Sequence, residues 1–298
     1  MSNVLTDLSD TLANTVAAAG AGVVRVEGRR RIPATGIVWS ADGLIVTAHH
    51  VVSRDENIQI GLPDGRSVNA ELVGRDPATD TAVLRAEADG LTPFTESNKQ
   101  ELGVGNLVLA LGRPGKTVQA TLGIVSALGD GWRTRLGGQV DRYLQTDVVM
   151  YPGFSGGPLV DAHGRLAGMN TSALMGGVSL AIPTATLARV ADALARDGRM
   201  KRGFLGVSTQ RVKLPDDLRE QLAQKSGLLI VSTESGSPAS AAGLTLGDTI
   251  VTLDNEKVRD HDDLLALLTG DRVGTAVPVG IVRGGQVQQV QVTIGERA

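Results

Sequence analysis

From Gly22 to about Pro183 the chain reads as short apolar or alternating segments broken by turn signals: GVVRVEG, TGIVWS, GLIVTA, IQIGL, SVNAELVG, NLVLALG and TVQATLGIVSALG. Between them stand ADG, PDG, DPATD, GRPG and AHG, whose residues turn a chain through positive φ or local side-chain hydrogen bonds. Closely spaced short strands of this kind predict an antiparallel barrel or sandwich. The period then changes. In PTATLARVADALARDG, Leu187, Val190 and Leu194 fall on one helical stripe, and Gly198 suits a C-cap. GRMKRG follows as a short polar boundary. Beyond it, strands GFLGVST, GLLIVST, DTIVTLD, VPVGIVR and QVQQVQVTI are interrupted by helices PDDLREQLAQ and HDDLLALLTG. That pattern predicts a compact α+β domain of roughly 95 residues, large enough to fold alone. At the other end, LTDLSDTLANTVAAAG places Leu5, Leu8, Leu12 and Val16 on one helical face, which either packs on the barrel or makes a subunit contact. The organisation expected is a helical segment over 1–20, a β domain over 21–198 and a second domain over 203–298.

Composition narrows the picture. Hydrophobic residues make up 42% and aromatics only 2%, so the cores must be built from Val, Leu, Ile and Ala. The 38 glycines are spread singly and in pairs, as tight turns between strands require. A net charge of -3 argues against a nucleic-acid partner. The lack of cysteine excludes disulfides, thiolate catalysis and cysteine-bound zinc. The first residues show no basic region followed by a long apolar run, and no apolar stretch is long enough to span a membrane. These features predict a cytoplasmic protein, extracytoplasmic only if an export segment has been removed.

Candidate chemistry centres on YPGFSGGPLV, where Ser155 follows Gly153 and Phe154 and precedes a Gly-Gly-Pro. A serine hydroxyl needs a base to become nucleophilic, and the base needs an acceptor to fix its tautomer. Of four histidines, His163 lies in a polar hairpin turn and His261 opens a helix of the second domain, both expected at the surface. His49 and His50 stand where the apolar strand GLIVTA runs into a turn. Asp80, in RDPATDTAVLR, directly precedes another apolar strand and is the acceptor candidate.

TAHHVV, DPATDTAVL and GFSGGPLV, in the order His, Asp, Ser, resemble the trypsin-like fold and, more narrowly, the HtrA serine proteases. LGIVSALG, YLQTDVVMYPGFSGGPLVDAHGRLAGMNTS and SLAIPT extend the similarity, which runs from about residue 20 to 298. The resemblance implies a mostly β protein: a double antiparallel β-barrel protease domain followed by an α+β PDZ domain. It selects His50 over His49 as general base, because Val-Val follows directly. It makes Asp80 the orienting partner and Ser155 the acyl-forming nucleophile. The loop Gly153, Phe154, Ser155 would form the oxyanion hole, using the N–H groups of Gly153 and Ser155, while Gly156 and Gly157 permit close packing behind the nucleophile. The family usually has Asn where Phe154 stands. The ring either anchors the loop by burial, the reading favoured here, or props it in a latent form. Pocket candidates are Met150, Tyr151, Ser179, Leu180, Ala181 and Ile182. No Asp is placed to balance a basic P1 side chain, and similar proteases prefer small aliphatic ones.

RGFLGVS and SGSPASAAGLTLGDTIVTLDNEKV resemble bacterial PDZ domains. A peptide C-terminus would be captured by backbone N–H groups at Phe204, Leu205 and Gly206 and would add as a strand along Val207. Of Leu264, Leu265, Leu267 and Leu268, some would line the side-chain pocket and the rest would be core. The function expected is endoproteolysis of unfolded or misfolded protein, with C-terminal peptides bound at the PDZ groove and biasing activity. No metal or organic cofactor is implied, and the family's usual assembly is a homotrimer. The alternative is a catalytically silent, PDZ-centred binding or chaperone protein.

Overall fold

The computed structural model describes residues 3–30, 32–95 and 102–296. It divides into two compact units, Met1–Met200 and Lys201–Ala298.

The first unit holds two closed antiparallel barrels. One is built from β1 (Val23–Glu27), β2 (Ala34–Val38), β3 (Leu44–Ala48), β4 (Ile58–Gly61), β5 (Ser67–Asp76) and β6 (Thr81–Ala86), in the order β1-β2-β3-β6-β5-β4, closed by β1 on β4. The other uses β7 (Leu107–Gly112), β8 (Gln119–Gly129), β9 (Tyr143–Thr146), β10 (Pro158–Asp161), β11 (Leu166–Thr171) and β12 (Ser179–Pro183). Its order is β9-β12-β11-β10-β7-β8, closed by β9 on β8. Closure removes exposed sheet edges, and the β-branched residues expected of an aromatic-poor core fill the interiors. Val24, Val26, Ile37, Ile45, Ile58, Ile60 and Leu84 are buried in the first barrel. The apolar run of β3 is buried on both faces, because Met169 and Ile182 of the second barrel join the same cluster.

The helical stripe Leu187, Val190 and Leu194 lies on the second helix of the chain, the first being formed by the N-terminal segment. We therefore label Val4–Ala19 as α1 and Thr184–Asp197 as α2. All three residues of the α2 stripe are fully buried against the first-barrel core, and Gly198 closes the helix at φ 70° as its C-cap. In α1 the expected face is divided. Leu12 and Val16 pack against Val23, Leu109, Leu111 and Val160, whereas Val4, Leu5 and Leu8 are exposed.

The second unit is a twisted open sheet of β13 (Val207–Lys213), β14 (Ser226–Thr233), β15 (Thr249–Leu253), β16 (Ala276–Arg283) and β17 (Gln286–Thr293), neighbours in that order. Three short helices accompany it: α3 (Asp216–Leu222), α4 (Pro238–Ala241) and α5 (His261–Leu267). The segment expected as one strand, GFLGVST, is split. Gly203 and Phe204 pair with Glu296 and Gly295, Gly206 turns the chain at φ 76°, and β13 starts only at Val207. Periodicity cannot register such a break, because glycine alone adopts that φ without strain. Among the described residues, no helix is long and apolar enough to cross a membrane.

Candidate active site

Strand β3 delivers His49 and His50 into a single 3-10 turn at its end. The His50 ring Nδ1 lies 2.8 Å from Asp80 Oδ2 and 3.0 Å from Oδ1, and the His50 backbone N–H donates to Oδ1 at 2.9 Å. Asp80 is 2% exposed and adopts a left-handed φ of 52°, which Asp tolerates better than most residues. Its carbonyl accepts from His49 N–H at 3.0 Å, and the hydroxyl of Thr171 donates to Oδ2. Donors therefore converge on the carboxylate from a ring, a backbone amide and a hydroxyl, an arrangement that stabilises its charge.

His49 points elsewhere. Among the described residues its buried Nδ1 has no hydrogen-bond partner, and burial, reinforced by the nearby Arg75 guanidinium, holds the ring below its ordinary pKa. His163 and His261 are exposed, as expected.

Ser155 is brought to this pair by the end of β11. Thr171 holds Asp80, and the next residue, Ser172, places its Oγ 3.2 Å from Ser155 Oγ. Among the described residues Ser172 is the only hydrogen-bond partner of the Ser155 hydroxyl, which makes no bond to His50. Without substrate such bonds are often long. Behind the serine, a Cβ on Gly156 would sit 2.3 Å from both Thr35 O and Thr47 Oγ1, and one on Gly157 would sit 2.2 Å from Leu111 O. Only glycine lets the loop seat this closely on β2, β3 and β7.

Tyr151–Phe154 forms a type II turn. Phe154 N–H donates to Tyr151 O at 3.0 Å, Pro152 occupies the second position, and Gly153 takes φ 93° at the third. Among the described residues, the N–H groups of Gly153 and Ser155 have no protein acceptor. The Phe154 N–H, which was not expected to donate to the hole, closes the turn instead.

The Phe154 ring is fully buried among Val108, Ala110, Val125, Leu144, Val148 and Leu159, with Tyr151 edge-on at 5.8 Å. Burial of the ring matches the anchor reading.

The pocket candidates fare unevenly. Tyr151 is exposed, Met150 half-buried, and Ser179 donates its hydroxyl to Val148 O at 3.1 Å. Leu180, Ala181 and Ile182 are at most 3% exposed, and Ile182 belongs to the core that α2 covers. Ile182 is therefore withdrawn as a pocket residue. An apolar strand residue looks the same in sequence whether it lines a cleft or fills a core.

In the second unit, among the described residues, β13 is paired on one side only, by β14, leaving an edge for an added strand. Phe204 is half-buried in the short pairing before it, and Leu205 is 2% exposed, its side chain in the core. The Gly206 N–H has no acceptor among the described residues, while Gly206 O accepts from Glu234 N–H at 2.8 Å. His261 at the start of α5 contacts Thr209 Oγ1 at 2.9 Å, placing that helix end beside β13. Of the four leucines, Leu264 is core, Leu267 and Leu268 are half-buried against it, and Leu265 is 47% exposed.

Comparison with known proteins agrees with this architecture. Residues 34–169 match the trypsin-like peptidase domain, and residues 203–294 match the PDZ domain. A probable periplasmic serine endoprotease of Chlamydia trachomatis is 36% identical over 276 residues, covering 91% of this chain and 55% of the relative. A counterpart from Halomonas elongata is 37% identical, covering 90% and 57%. The chain thus spans about half the length of these curated relatives. Among solved structures, a serine endoprotease from Yersinia pestis is 32% identical with a TM-score of 0.79, covering 96% of this chain and 98% of that one. The HtrA-type protease AlgW, solved with a decapeptide, is 29% identical with a TM-score of 0.78, covering 96% and 99%. The relatives' names also correct one expectation: they are periplasmic, which overturns the cytoplasmic placement. That placement rested on what the first residues lack, and such an absence carries no information on compartment.

Proposed function

Since the chain belongs to the HtrA family of trypsin-like serine proteases with a PDZ domain, we propose that it is an extracytoplasmic endopeptidase that cleaves unfolded or misfolded protein through an acyl-enzyme. The single observation carrying this reading is the His50–Asp80 pair, with Thr171 and Ser172 linking Asp80 to Ser155 along one strand end.

In this reading Ser155 Oγ attacks the scissile carbonyl and His50 Nε2 takes its proton. Asp80 holds the Nδ1–H tautomer and stabilises the imidazolium without itself being protonated. The carbonyl oxygen becomes an oxyanion that accepts from the Gly153 and Ser155 N–H groups. His50 then returns the proton to the leaving amine, and water repeats the sequence in reverse to release the acyl group. The two unpaired donors support this assignment, because a preorganised hole needs no rearrangement as charge develops.

The open edge of β13 and the unpaired Gly206 N–H support capture of peptide C-termini in the PDZ domain. The similarity to AlgW, solved with a decapeptide, points the same way. The exposed Val4, Leu5 and Leu8 support self-association through α1, for which the family implies a homotrimer. No observation favours the catalytically silent alternative. Hydrolysis of denatured casein by the wild type, lost in Ser155→Ala, is the expected result; equal rates for the two proteins would refute the reading.

A further inference from the structure

The oxyanion loop is gripped from an unexpected side. Thr35, the second residue of β2, has no exposed surface, and its hydroxyl donates to Gly153 O at 2.6 Å. The same oxygen accepts from Arg113 N–H at 2.8 Å, so the hydroxyl proton has one direction left, towards the loop. The backbone of Thr35 acts too: its N–H donates to Ser155 O at 3.3 Å, and its carbonyl accepts from Thr47 Oγ1 at 2.7 Å.

One residue thus holds the peptide groups on both sides of the Phe154–Ser155 peptide. The Gly153–Phe154 peptide is fixed at its two ends, its carbonyl by Thr35 and its N–H by Tyr151 O. The Ser155–Gly156 peptide is held by Thr35 N–H and by Asn170 O. The peptide between them carries the Ser155 N–H and has its own carbonyl bound by Gly157 N–H at 2.9 Å, while the Gly153 N–H stands on the Cα next to the pinned Gly153 carbonyl. Burial of the Phe154 ring sets where the loop lies, but apolar contact is non-directional and cannot set how its peptides are rotated. Hydrogen bonds can, since they weaken steeply away from linearity.

Arg113 makes the grip rigid. Its guanidinium is buried and donates to three carbonyls, Val23 O at 2.7 Å, Lys116 O at 2.8 Å and Gly20 O at 2.9 Å, which immobilises the backbone N–H that Thr35 accepts.

We propose that Thr35 is a positioning residue for the oxyanion site, its hydroxyl aiming the Gly153 and Ser155 N–H groups by pinning the Gly153 carbonyl. The proposal rests on the protease reading above and adds a residue to it. Thr35→Val keeps the shape and removes the hydroxyl, whereas Thr35→Ser keeps the hydroxyl. The full chain carrying each is compared with wild type in its rate of labelling by diisopropyl fluorophosphate, in casein hydrolysis, and in amide hydrogen exchange over residues 151–157.

Thr35→Val is expected to label about 100-fold more slowly, the loss typical of one oxyanion donor, with KM for casein within about twofold of wild type. Thr35→Ser is expected to stay within about threefold of the wild-type rate, and exchange across 151–157 to quicken only in Thr35→Val. Should Thr35→Val not fold, Thr35→Ala takes its place in the same comparison with Thr35→Ser. Wild-type rates in the hydroxyl-less variant, or equal losses in it and in Thr35→Ser, would overturn the proposal. A wild type that neither labels nor hydrolyses casein would instead overturn the protease reading, so the two failures are distinct.

Discussion

Replacing Phe154 by Ala deletes a ring that has no exposed surface and is the largest fully buried side chain of the described residues. Removing those atoms from an apolar site costs about 1.5–3 kcal/mol in transfer alone. A cavity term adds to this, because the neighbours Val108, Ala110 and Leu159 belong to strands of a closed barrel and cannot collapse inward. The total expected is about 4 kcal/mol. Both tryptophans, Trp39 and Trp132, lie in the first unit, so their fluorescence during urea unfolding reports on the barrels and not on the PDZ domain. At a slope of about 2.5 kcal/mol per molar urea the midpoint should fall by about 1.5 M. Gly112 supplies an internal control. A Cβ there would lie 2.5 Å from the Phe154 ring, so Gly112→Ala should destabilise the wild type. With the ring gone the same methyl enters free space, so Gly112→Ala should cost less or stabilise, a coupling of about 1 kcal/mol or more. A midpoint shift below about 0.5 M, or strict additivity of the two substitutions, would refute the view that this ring anchors the loop.

Two further outcomes follow from the histidines. Burial holds His49 below its ordinary pKa of 6.5, so below that pH the unfolded chain binds a proton that folded His49 resists. Stability contributed by this group is therefore present above about pH 6.5 and lost as pH falls towards the folded pKa; urea midpoints across that range should decline, and less steeply in His49→Gln. Asp80→Asn should leave the barrels folded yet lower casein turnover about 10⁴-fold, because an amide N–H facing His50 Nδ1 imposes the wrong tautomer. A loss under about tenfold would mean that His50 is not the base.

The candidates for the proposed triad each sit in a run with its own signal, His49 and His50 after an apolar strand, Asp80 before one and Ser155 among glycines, while the choice of His50 over His49 came from the family resemblance. The strands and turns of both domains were legible for a related reason, since strand periodicity and turn chemistry are local, whereas the double barrel and the PDZ sheet were implied by the family resemblance. What escaped was non-local or without pattern. Thr171 reaches Asp80 across 91 positions, and Thr35 reaches Gly153 across 118; neither threonine differs in sequence from one that merely fills a strand. Ser172 is equally plain until its Oγ is seen against Ser155. In α1 the periodicity of Leu5, Leu8, Leu12 and Val16 is real, but a helical stripe does not say how far its partner extends. Ile182 failed for the converse reason: proximity in sequence to a cleft does not expose a side chain to it.

That Ser155 is a nucleophile activated by His50 is tested most directly by treating the purified full chain with a fluorophosphonate probe and weighing it intact, beside Ser155→Ala and His50→Ala. The structure predicts one added label on the wild type and none on either variant, since the probe needs a serine with both a base and an oxyanion site. A wild type that stays unlabelled, or a His50→Ala variant that labels as fast as wild type, would contradict it.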